Sequence, residues 1–556
     1  MALGVASKCI LVLPPFLLLR WLVFAGLGCG PAMGTCDALH AAPSAPSTDA
    51  VLEDPVLELA RGLGSEKAAD RKRALKSLVA LGSAKAWRQA FVALSDPESE
   101  VGDDAQLVFA RANDPVILAE LAGKAGLGHR DAAVRLRIAE AFGRMTCDVE
   151  VAPLLRMVDD REPEVARLAL WSIERLASAR HLVGDLERGV STLEHAGRTH
   201  RDAGVRAEAI CARAAIAARA ASGSPLAAPE DFTAFLARCA EDRDPRVRCA
   251  TAMAARSLPA ASSISLMRAF ALDPRLEVRL ARIETLEILS CKPAVNALIA
   301  AFDTENAARA RHELVASLQR LSGFKHRDDP RPWRDWAAQL PADWQPTLIP
   351  GRDSESGEQR GGTPAGGAGG EGRTSAQVSF VGLPLVSAHI CFAIDFSGSM
   401  WTPMPDGRLP KELVDARLRA TLERLTPATE FNIVPFTNEI LPWRPKLVPA
   451  NPANVRTAIA DFEKCQAHGR GNFFDAAVFA LLDPEVDTLL TLTDGIPTGG
   501  FHSNLDLIVA LLLERNRFRR VAFDTVLVDA PSYAIRRWQT LSQFSGGRLV
   551  ATDKAE

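Results

Sequence analysis

Motifs that mark several common protein classes are missing from this 556-residue sequence. It contains no Gly-x-Ser-x-Gly elbow to present a serine nucleophile, and no Gly-x-x-x-x-Gly-Lys-Ser/Thr loop to hold a nucleotide phosphate. Its ten cysteines form no Cys-x-x-Cys pair, and its histidines form no cluster with zinc-ligand spacing. These absences argue against a serine hydrolase, a P-loop nucleotidase and a structural zinc protein, and we expect no enzymatic activity.

The chain also lacks an excess of charge of either sign, since its formal net charge is −3. A nucleic-acid-binding protein usually carries a basic patch or stripe. Here the arginine-rich stretches are interleaved with Asp and Glu on the same predicted helices, which indicates solvated helix faces. We therefore expect no nucleic-acid partner.

The first 34 residues have the features of an export segment. Lys8 precedes an apolar run at 9–19, Arg20 precedes a second run at 21–27, and small residues near position 34 offer a cleavage site. Arg20 interrupts the apolar stretch, so it is a poor uninterrupted membrane span. We predict a signal peptide or membrane anchor at 1–34, a tether at 35–50, and a periplasmic, cell-surface or membrane-anchored protein.

Residues 51–345 are predicted to form an array of helices. Short turns recur in which an acid, often followed by proline, precedes a valine, and successive valines lie 31 to 42 residues apart. Asp is a good helix N-cap, and a period of this size is typical of stacked helix pairs. The turns resemble HEAT repeats, particularly Asp-Pro-x-Val-Arg at 244–248. The valines are Val101, Val134, Val165, Val205, Val247 and Val278.

Residues 346–380 are predicted to be a flexible linker. They are rich in Gly, Glu, Arg and Ser and contain few apolar residues, a composition that cannot compensate for the entropy lost on ordering. A linker of this kind does not require the two flanking domains to be docked on one another.

The last part of the chain, 381–556, alternates predicted strands with predicted helices. This order indicates an α/β, doubly wound, mostly parallel sheet that binds ligands at the carboxyl ends of its strands. The predicted strands are 390–394, 431–436, 488–493, 521–528 and 548–550. The predicted helices are 411–425, 454–462, 472–482, 505–515 and 533–544, with a hairpin near 440–447.

Two of these strands end in acidic residues. The apolar strand 390–394 is followed by Asp395, Ser397 and Ser399, whose alternate spacing offers three hard oxygen ligands to one point. A second strand ends in Asp494 followed by glycine. One carboxylate and two hydroxyls are too few to enclose a divalent ion, so water or another molecule would complete the first site. Without a metal, Asp395 would cap the loop and the two serines would satisfy backbone donors.

The Asp-x-Ser-x-Ser run resembles the signature of von Willebrand factor type A domains. The resemblance implies strand order 3-2-1-4-5-6 and a metal-ion-dependent adhesion site for Mg²⁺, or for Mn²⁺ or Ca²⁺, with Asp494 as the later acid. The family's Gly-Gly-Thr-Asn loop reads Gly-Arg-Gly-Asn at 469–472, which places Gly471 where a threonine hydroxyl is expected and adds the charge of Arg470. Asn472 would help to hold a metal-bound water.

Asp475 is predicted to support this loop or to begin the next helix. Our leading hypothesis is a non-enzymatic, exported scaffold that binds an acidic residue of a protein partner through the cation, with the helical array as a second interaction surface. One alternative is a metal-free type A scaffold in which Arg470 occupies or repels the cation position and the loops or the helical array contact the partner. Another is an accessory subunit of a chelatase-like ATPase complex.

Overall fold

The computed structural model describes residues 54–220, 224, 226, 229–346, 378–385, 387–403 and 407–552. The predicted export segment, the tether and most of the predicted linker lie outside these residues. We refer to 54–346 as the helical part and to 378–552 as the sheet part. None of the described helices is long and apolar enough to cross a membrane.

The helical part consists of short helices joined by tight turns. Its first helices are α1 (Pro55–Arg61), α2 (Ala68–Ala80), α3 (Ala84–Ala90), α4 (Ser99–Phe109), α5 (Pro115–Ala122), α6 (Ala132–Phe142), α7 (Val151–Leu155) and α8 (Pro163–Ala179). The remaining helices are α9 (Leu186–Thr199), α10 (Ala203–Arg219), α11 (Pro229–Cys239), α12 (Pro245–Ala254), α13 (Ala260–Met267), α14 (Leu276–Leu289), α15 (Lys292–Ala301), α16 (Ala308–Ser322) and α17 (Pro330–Gln339). Two short strands, β1 (Val149–Glu150) and β2 (Leu182–Val183), pair in parallel.

The even-numbered helices from α4 to α16 contact one another in chain order. All six turn valines are buried, with at most 2% exposure, so they start the apolar stripes as predicted. Asp131, Asp202 and Asp244 are helix N-caps, in agreement with the prediction. The prediction was wrong for Asp96, Asp160 and Asp273, because α4, α8 and α14 begin three residues further on and these acids contact arginines instead.

Those arginines form a repeating set of buried ion pairs, which we call the arginine ladder. Each arginine donates two parallel hydrogen bonds to an acid in the next turn, and its Nη1 also donates to two carbonyl oxygens in its own preceding turn. The acid in turn accepts the N–H of the residue two positions on. The pairs are Arg71–Asp96, Arg135–Asp160, Arg206–Asp242, Arg248–Asp273 and Arg279–Glu305.

The ladder is interrupted at two turns, and at each of them other residues stand in place of both the arginine and the acid. Gly102 and Ala166 occupy the arginine position after Val101 and Val165, and His129 and His200 occupy the corresponding acid positions. Each histidine accepts the N–H of the residue two positions on through Nδ1, as the acids do. The turn geometry is therefore kept without leaving an unpaired buried charge. The gaps fall on α4 and α8, which contact the sheet part.

The sheet part is built on β5 (His389–Asp395), with helices on both faces. The other strands of this sheet are β6 (Glu430–Phe436), β7 (Val448–Pro449), β8 (Thr488–Thr493), β9 (Ala522–Val528) and β10 (Leu549–Thr552). Its strand order is β10-β9-β8-β5-β6-β7, with only the β6–β7 pair antiparallel. Counted from β5, this is the predicted order 3-2-1-4-5-6.

Two layers of helices cover the sheet. On one face lie α18 (Pro410–Leu422) and α19 (Pro452–Lys464). On the other lie α20 (Phe473–Leu482), α21 (Leu505–Asn516) and α22 (Ser532–Ser545). This second layer shares one continuous apolar cluster with residues of α2 to α10.

Two segments of the sheet part differ from the prediction. The predicted hairpin at 440–447 forms only in part: Leu441 and Trp443 donate N–H groups to β6, whereas Pro442 and Pro445 have none to donate. Ser379 and Phe380, which were assigned to the linker, form β3 (Ser379–Phe380), and this pairs with β4 (Leu383–Pro384). Because Phe380 is fully buried against the sheet, the sheet part begins before residue 381.

The helical and sheet parts are docked on one another, which the linker composition did not require. An arginine-rich segment at the end of α21 faces acids on α8, α10 and α14. Phe518, in the middle of this segment, is buried in the apolar cluster of the helical part. The pairs are Arg515–Glu164, Arg517–Glu174, Arg517–Glu208, Arg519–Glu277 and Arg520–Glu284.

The ladder predicts a large stability effect at a single buried rung. Replacing Arg135 by Leu leaves Asp160 buried without its partner, so we expect a loss of about 3–5 kcal/mol in the free energy of unfolding. Arg331→Leu is the control, because its pair with Asp329 is on the surface and screened by solvent, so we expect little change in stability. Urea denaturation measures both. Equal, small effects would contradict a structural role for the ladder.

Candidate cation site

The two acid-tipped loops meet because their strands are neighbours. β5 and β8 are paired in parallel, with Ile394 opposite Leu492, so both strands end at the same edge of the sheet. Asp395 is the last residue of β5 and Asp494 follows the last residue of β8. Asp395 is only 1% exposed, whereas Asp494 is partly exposed.

A chain of hydrogen bonds connects the predicted ligands. Ser397 Oγ lies 3.1 Å from Ser399 Oγ, and Ser399 Oγ donates to Asp494 Oδ2 at 2.6 Å. Asp395 Oδ1 accepts the N–H of Ser397 at 2.7 Å. The structure therefore brings Asp395, Ser397, Ser399 and Asp494 together at one place.

The oxygen spacing suits a small hard cation. Adjacent ligands around an octahedral Mg²⁺ lie about 3.0 Å apart, because each ligand is about 2.1 Å from the ion. The side-chain oxygens of Ser397, Ser399 and Asp494 are separated by 2.6 and 3.1 Å along their chain. Among the described residues no group of three or more His, Cys, Asp or Glu has metal-site geometry, so this site relies on hydroxyls beside its two carboxylates. The donor set fits Mg²⁺ or Mn²⁺ with water or a ligand completing the coordination.

The electrostatics of the site also favour a cation. Burial raises the pKa of Asp395, and the nearby charge of Asp494 raises it further. Hydrogen bonds from Thr493 and Ser397 oppose this effect, and the resulting pKa is about 6. Two neighbouring carboxylates, one of them buried, are therefore costly to ionise together unless a positive charge is placed beside them.

This raised pKa gives the metal-free protein a specific pH dependence. The folded state holds the proton of Asp395 more tightly than the unfolded state, whose pKa is near 3.8, so this contribution to stability is present at low pH. This contribution is lost as pH rises from about 4 through about 6, which lowers the free energy of unfolding by about 3 kcal/mol.

Asp395→Asn removes this dependence of stability on pH. In EDTA, we expect its free energy of unfolding to exceed that of the wild type at pH 7.5 by up to that amount, and not at pH 4; denaturant unfolding at both pH values tests this.

Gly471 lies next to Asp395, as the loop comparison predicts. A Cβ atom built on Gly471 would lie 3.8 Å from each carboxylate oxygen of Asp395 and 3.6 Å from the carbonyl oxygen of Ile496, which are ordinary contacts. The N–H of Gly471 donates to the hydroxyl of Thr498 at 2.8 Å, and its carbonyl accepts the N–H of Thr498 at 3.1 Å. The loops that carry Gly471 and Asp494 are thus joined directly.

The other residues of this loop point away from the carboxylates. Arg470 Nη1 donates to Glu98 of the helical part at 2.6 Å, so its charge is paired outside the site. Asn472 is the N-cap of α20, and its Nδ2 donates to Asp475 Oδ2 at 2.8 Å. Asp475 lies in the first turn of α20, and its carboxylate accepts this hydrogen bond.

Sequence reasoning missed two residues of the site and one residue of the helical part that pairs with the Gly471 loop. Thr493 donates its hydroxyl to Asp395 Oδ2 at 2.6 Å and so orients the buried carboxylate. Its position at the polar end of an apolar strand was an available signal. Thr498, in the loop after Asp494, supplies the hydroxyl that contacts Gly471. Glu98 had no signal, because it lies 372 residues from Arg470 in the chain.

A cleft of about 400 Å³ lies beside the site, between the start of α4 and the loops of the sheet part. It combines residues from the helical part with residues from three loops at the edge of the sheet. Its lining is mostly polar or small, and Arg470 is the charged member. The lining residues are Pro97, Ser99, Asn438, Arg470, Gly499 and Gly500.

Comparison with known proteins finds similarity over a limited part of the chain. No family model matches the sequence. Human inter-alpha-trypsin inhibitor heavy chain H4 is 37% identical over 131 residues, covering 21% of this chain and 13% of the human protein. Human inter-alpha-trypsin inhibitor heavy chain H2 is 33% identical over 130 residues, covering 21% of this chain and 13% of that protein. The chain therefore covers about an eighth of the length of these relatives.

Von Willebrand factor type A domains are among the solved structures that match. One from Catenulispora acidiphila is 18% identical, covers 30% of this chain and 40% of its own, and has a TM-score of 0.25. The SpRpn10 VWA domain is 13% identical, covers 30% of this chain and 87% of its own, and has a TM-score of 0.24. Scores this low support no functional comparison; the observed strand order and site geometry stand on their own.

Proposed function

We propose that the protein is a non-enzymatic scaffold that binds a carboxylate of a protein partner through a divalent cation. The cation, Mg²⁺ or alternatively Mn²⁺ or Ca²⁺, would be held by Asp395, Ser397, Ser399 and Asp494. The observation that carries this proposal is the connected set of hard oxygens at the ends of β5 and β8. The ion would supply the positive charge that a partner's carboxylate requires.

The residues of the chain have distinct tasks in this proposal. Asp395 and Asp494 match the two positive charges of the ion, and the neutral hydroxyls of Ser397 and Ser399 add ligands without further charge. Thr493 fixes the orientation of Asp395. Because the chain provides too few ligands to enclose the ion, the site stays open to an oxygen of the partner. The adjacent cleft offers space for the residues that flank that carboxylate.

We further propose that residues 381–556, together with β3, form a von Willebrand type A domain, and that 51–345 form a HEAT-like array. The stacked even-numbered helices and the turns of the ladder support the array assignment. Acids on α8, α10 and α14 already contact the sheet part, so a second partner surface would lie on other helices. Similarity to inhibitor heavy chains over a fifth of the sequence supports binding rather than catalysis. The export features of 1–34 support an extracytoplasmic location, with membrane attachment through that segment if it is not cleaved.

A metal-free scaffold is the second candidate, and two observations favour it. The hydrogen bonds from Thr493 to Asp395 and from Ser399 to Asp494 satisfy both acids in part without an ion. Gly471 also provides no side-chain oxygen. Arg470 does not replace the cation in this version of the site, because it is paired with Glu98.

Titration with Mn²⁺ separates the two candidates. Ligand present at a hundredfold excess over its Kd stabilises the folded state by about 2.7 kcal/mol. We expect millimolar Mn²⁺ to raise the Tm of the wild type, and EDTA to reverse the shift. Asp395→Ala should abolish the response, whereas the neighbouring control Asp475→Asn should keep it, since Asp475 contacts Asn472 instead. No shift for the wild type would favour the metal-free scaffold.

Gly471 offers a gain-of-function test of the same site. Gly471 does not adopt a left-handed backbone conformation and has space for a Cβ atom, so Gly471→Thr should fold normally. Its hydroxyl would add an oxygen near Asp395, and we expect Mn²⁺ to bind about tenfold more tightly, which corresponds to about 1.4 kcal/mol.

Gly471→Val is the matched control, because valine has the shape of threonine without the hydroxyl. Titration of Mn²⁺ followed by electron paramagnetic resonance measures both variants. An equal gain for valine would show that the effect comes from loop rigidity rather than from an added ligand.

A further inference from the structure

The segment that follows the Asp494 loop is held by a buried carboxylate of the helical part. Asp103 on α4 is fully buried and accepts the backbone N–H groups of Ser503 and Asn504 at 2.8 and 2.9 Å. It also accepts a hydrogen bond from His502 Nδ1 at 2.6 Å. Three consecutive residues of the sheet part are thus bound to one side chain that is about 400 residues away in sequence.

Arg137 on α6 completes this cluster. Its Nη1 donates to Asp103 at 2.7 Å, and its Nη2 donates to the carbonyl oxygen of Phe501 at 3.1 Å. Gly102 leaves the space that the guanidinium occupies, since an added Cβ there would lie only 2.8 Å from Arg137 Nη2. Burial raises the pKa of Asp103, but His502 and Arg137 outweigh this effect and hold the pKa at about 2. The carboxylate is therefore ionised and fully paired at neutral pH.

The held segment is continuous with the candidate cation site. Asp494 Oδ1 accepts the N–H of Ile496 at 3.2 Å, and the N–H groups of Thr498 and Gly499 donate to Gly471. Residue 500 then passes so close to Asn472 that a Cβ atom would clash with its side chain. The chain from Asp494 to Asn504 therefore has contacts along most of its length, and Asp103 holds the far end of this segment.

A second contact ties the helical part to the Gly471 loop. Glu98, in the turn that leads into α4, pairs with Arg470. The region 98–103 of the helical part therefore contacts both loops that flank Asp395. Other pairs between the two parts, such as Arg275–Glu485, involve neither loop.

We propose that Asp103 is a positioning residue for the cation site, so that the helical part sets the placement of Asp494 relative to Asp395. The effect of Asp103 on metal binding rests on the proposed function. Its effect on the placement of the segment after Asp494 rests only on the contacts between the helical and sheet parts. A partner that displaces α4 would alter cation binding without touching the ligands.

The test compares Asp103→Asn with Asp160→Asn in the full chain. Both replacements remove a buried carboxylate that pairs with an arginine of α6, but Asp160 makes its contacts within the helical part. Hydrogen exchange of 496–504 is measured in EDTA, and Mn²⁺ affinity is measured by electron paramagnetic resonance. We expect Asp103→Asn to speed exchange in this segment at least tenfold and to weaken Mn²⁺ binding about tenfold. Asp160→Asn also destabilises the fold, so exchange at 496–504 is compared with that of β5 in the same variant. Relative to β5, Asp160→Asn should leave exchange at 496–504 unchanged, and it should leave Mn²⁺ affinity unchanged.

Each outcome is decisive. Exchange at 496–504 that stays at the wild-type rate in Asp103→Asn, or that rises equally in Asp160→Asn, would overturn the proposal. If the wild type binds no Mn²⁺, the proposed metal function fails, and the exchange measurement in EDTA alone decides the positioning role. If Asp103→Asn does not fold, His502→Gln removes one of the loop's contacts with Asp103 and is judged by the same exchange criterion.

Discussion

Charged side chains that are buried in this protein have to be paired, and that requirement governs how the structure is assembled. Removing an ion from water is costly unless a partner with good geometry replaces the lost hydration. In the helical part the arginine ladder meets the requirement once per turn, by joining each arginine to the acid of the next turn. Where the ladder is interrupted at Gly102 and Ala166, the acid is also replaced, by His129 and His200, so no charge is left alone.

The same requirement explains the docking of the two parts. The helices α4, α6 and α8, with α10 and α14, present charged groups that their own neighbours do not fully pair. The sheet part supplies the missing partners: Arg517 approaches Glu208, and backbone N–H groups at 503 and 504 approach Asp103. Apolar burial adds to this, because Phe518 enters the core of the helical part.

At the candidate cation site, the chain pairs the buried charge only in part. Asp395 is more buried than the acids of the ladder, yet its partners are the neutral donors Thr493 and the N–H of Ser397. Arg470, the nearby cation in the sequence, is paired with Glu98 instead. Burial, together with the charge of Asp494, raises the pKa of Asp395 to about 6, because no positive group of the chain offsets these effects. The site thus differs from every rung of the ladder, where the acid is paired with an arginine of the chain.

Local sequence patterns determined much of this protein. The spacing of the turn valines predicted the stacked helices, and the order of strands and helices predicted the doubly wound sheet, because both follow from periodicity and caps within a few residues. Asp395 and Asp494 were predicted as candidate ligands from a local pattern as well, because each acid stands at the end of an apolar strand. The tertiary structure alone decided that Asp96 and Asp160 pair with arginines, that Arg470 turns to Glu98, and that Asp103 holds the segment after Asp494. These contacts join residues 25 to about 400 positions apart and depend on which surfaces meet, for which no local pattern gives a signal.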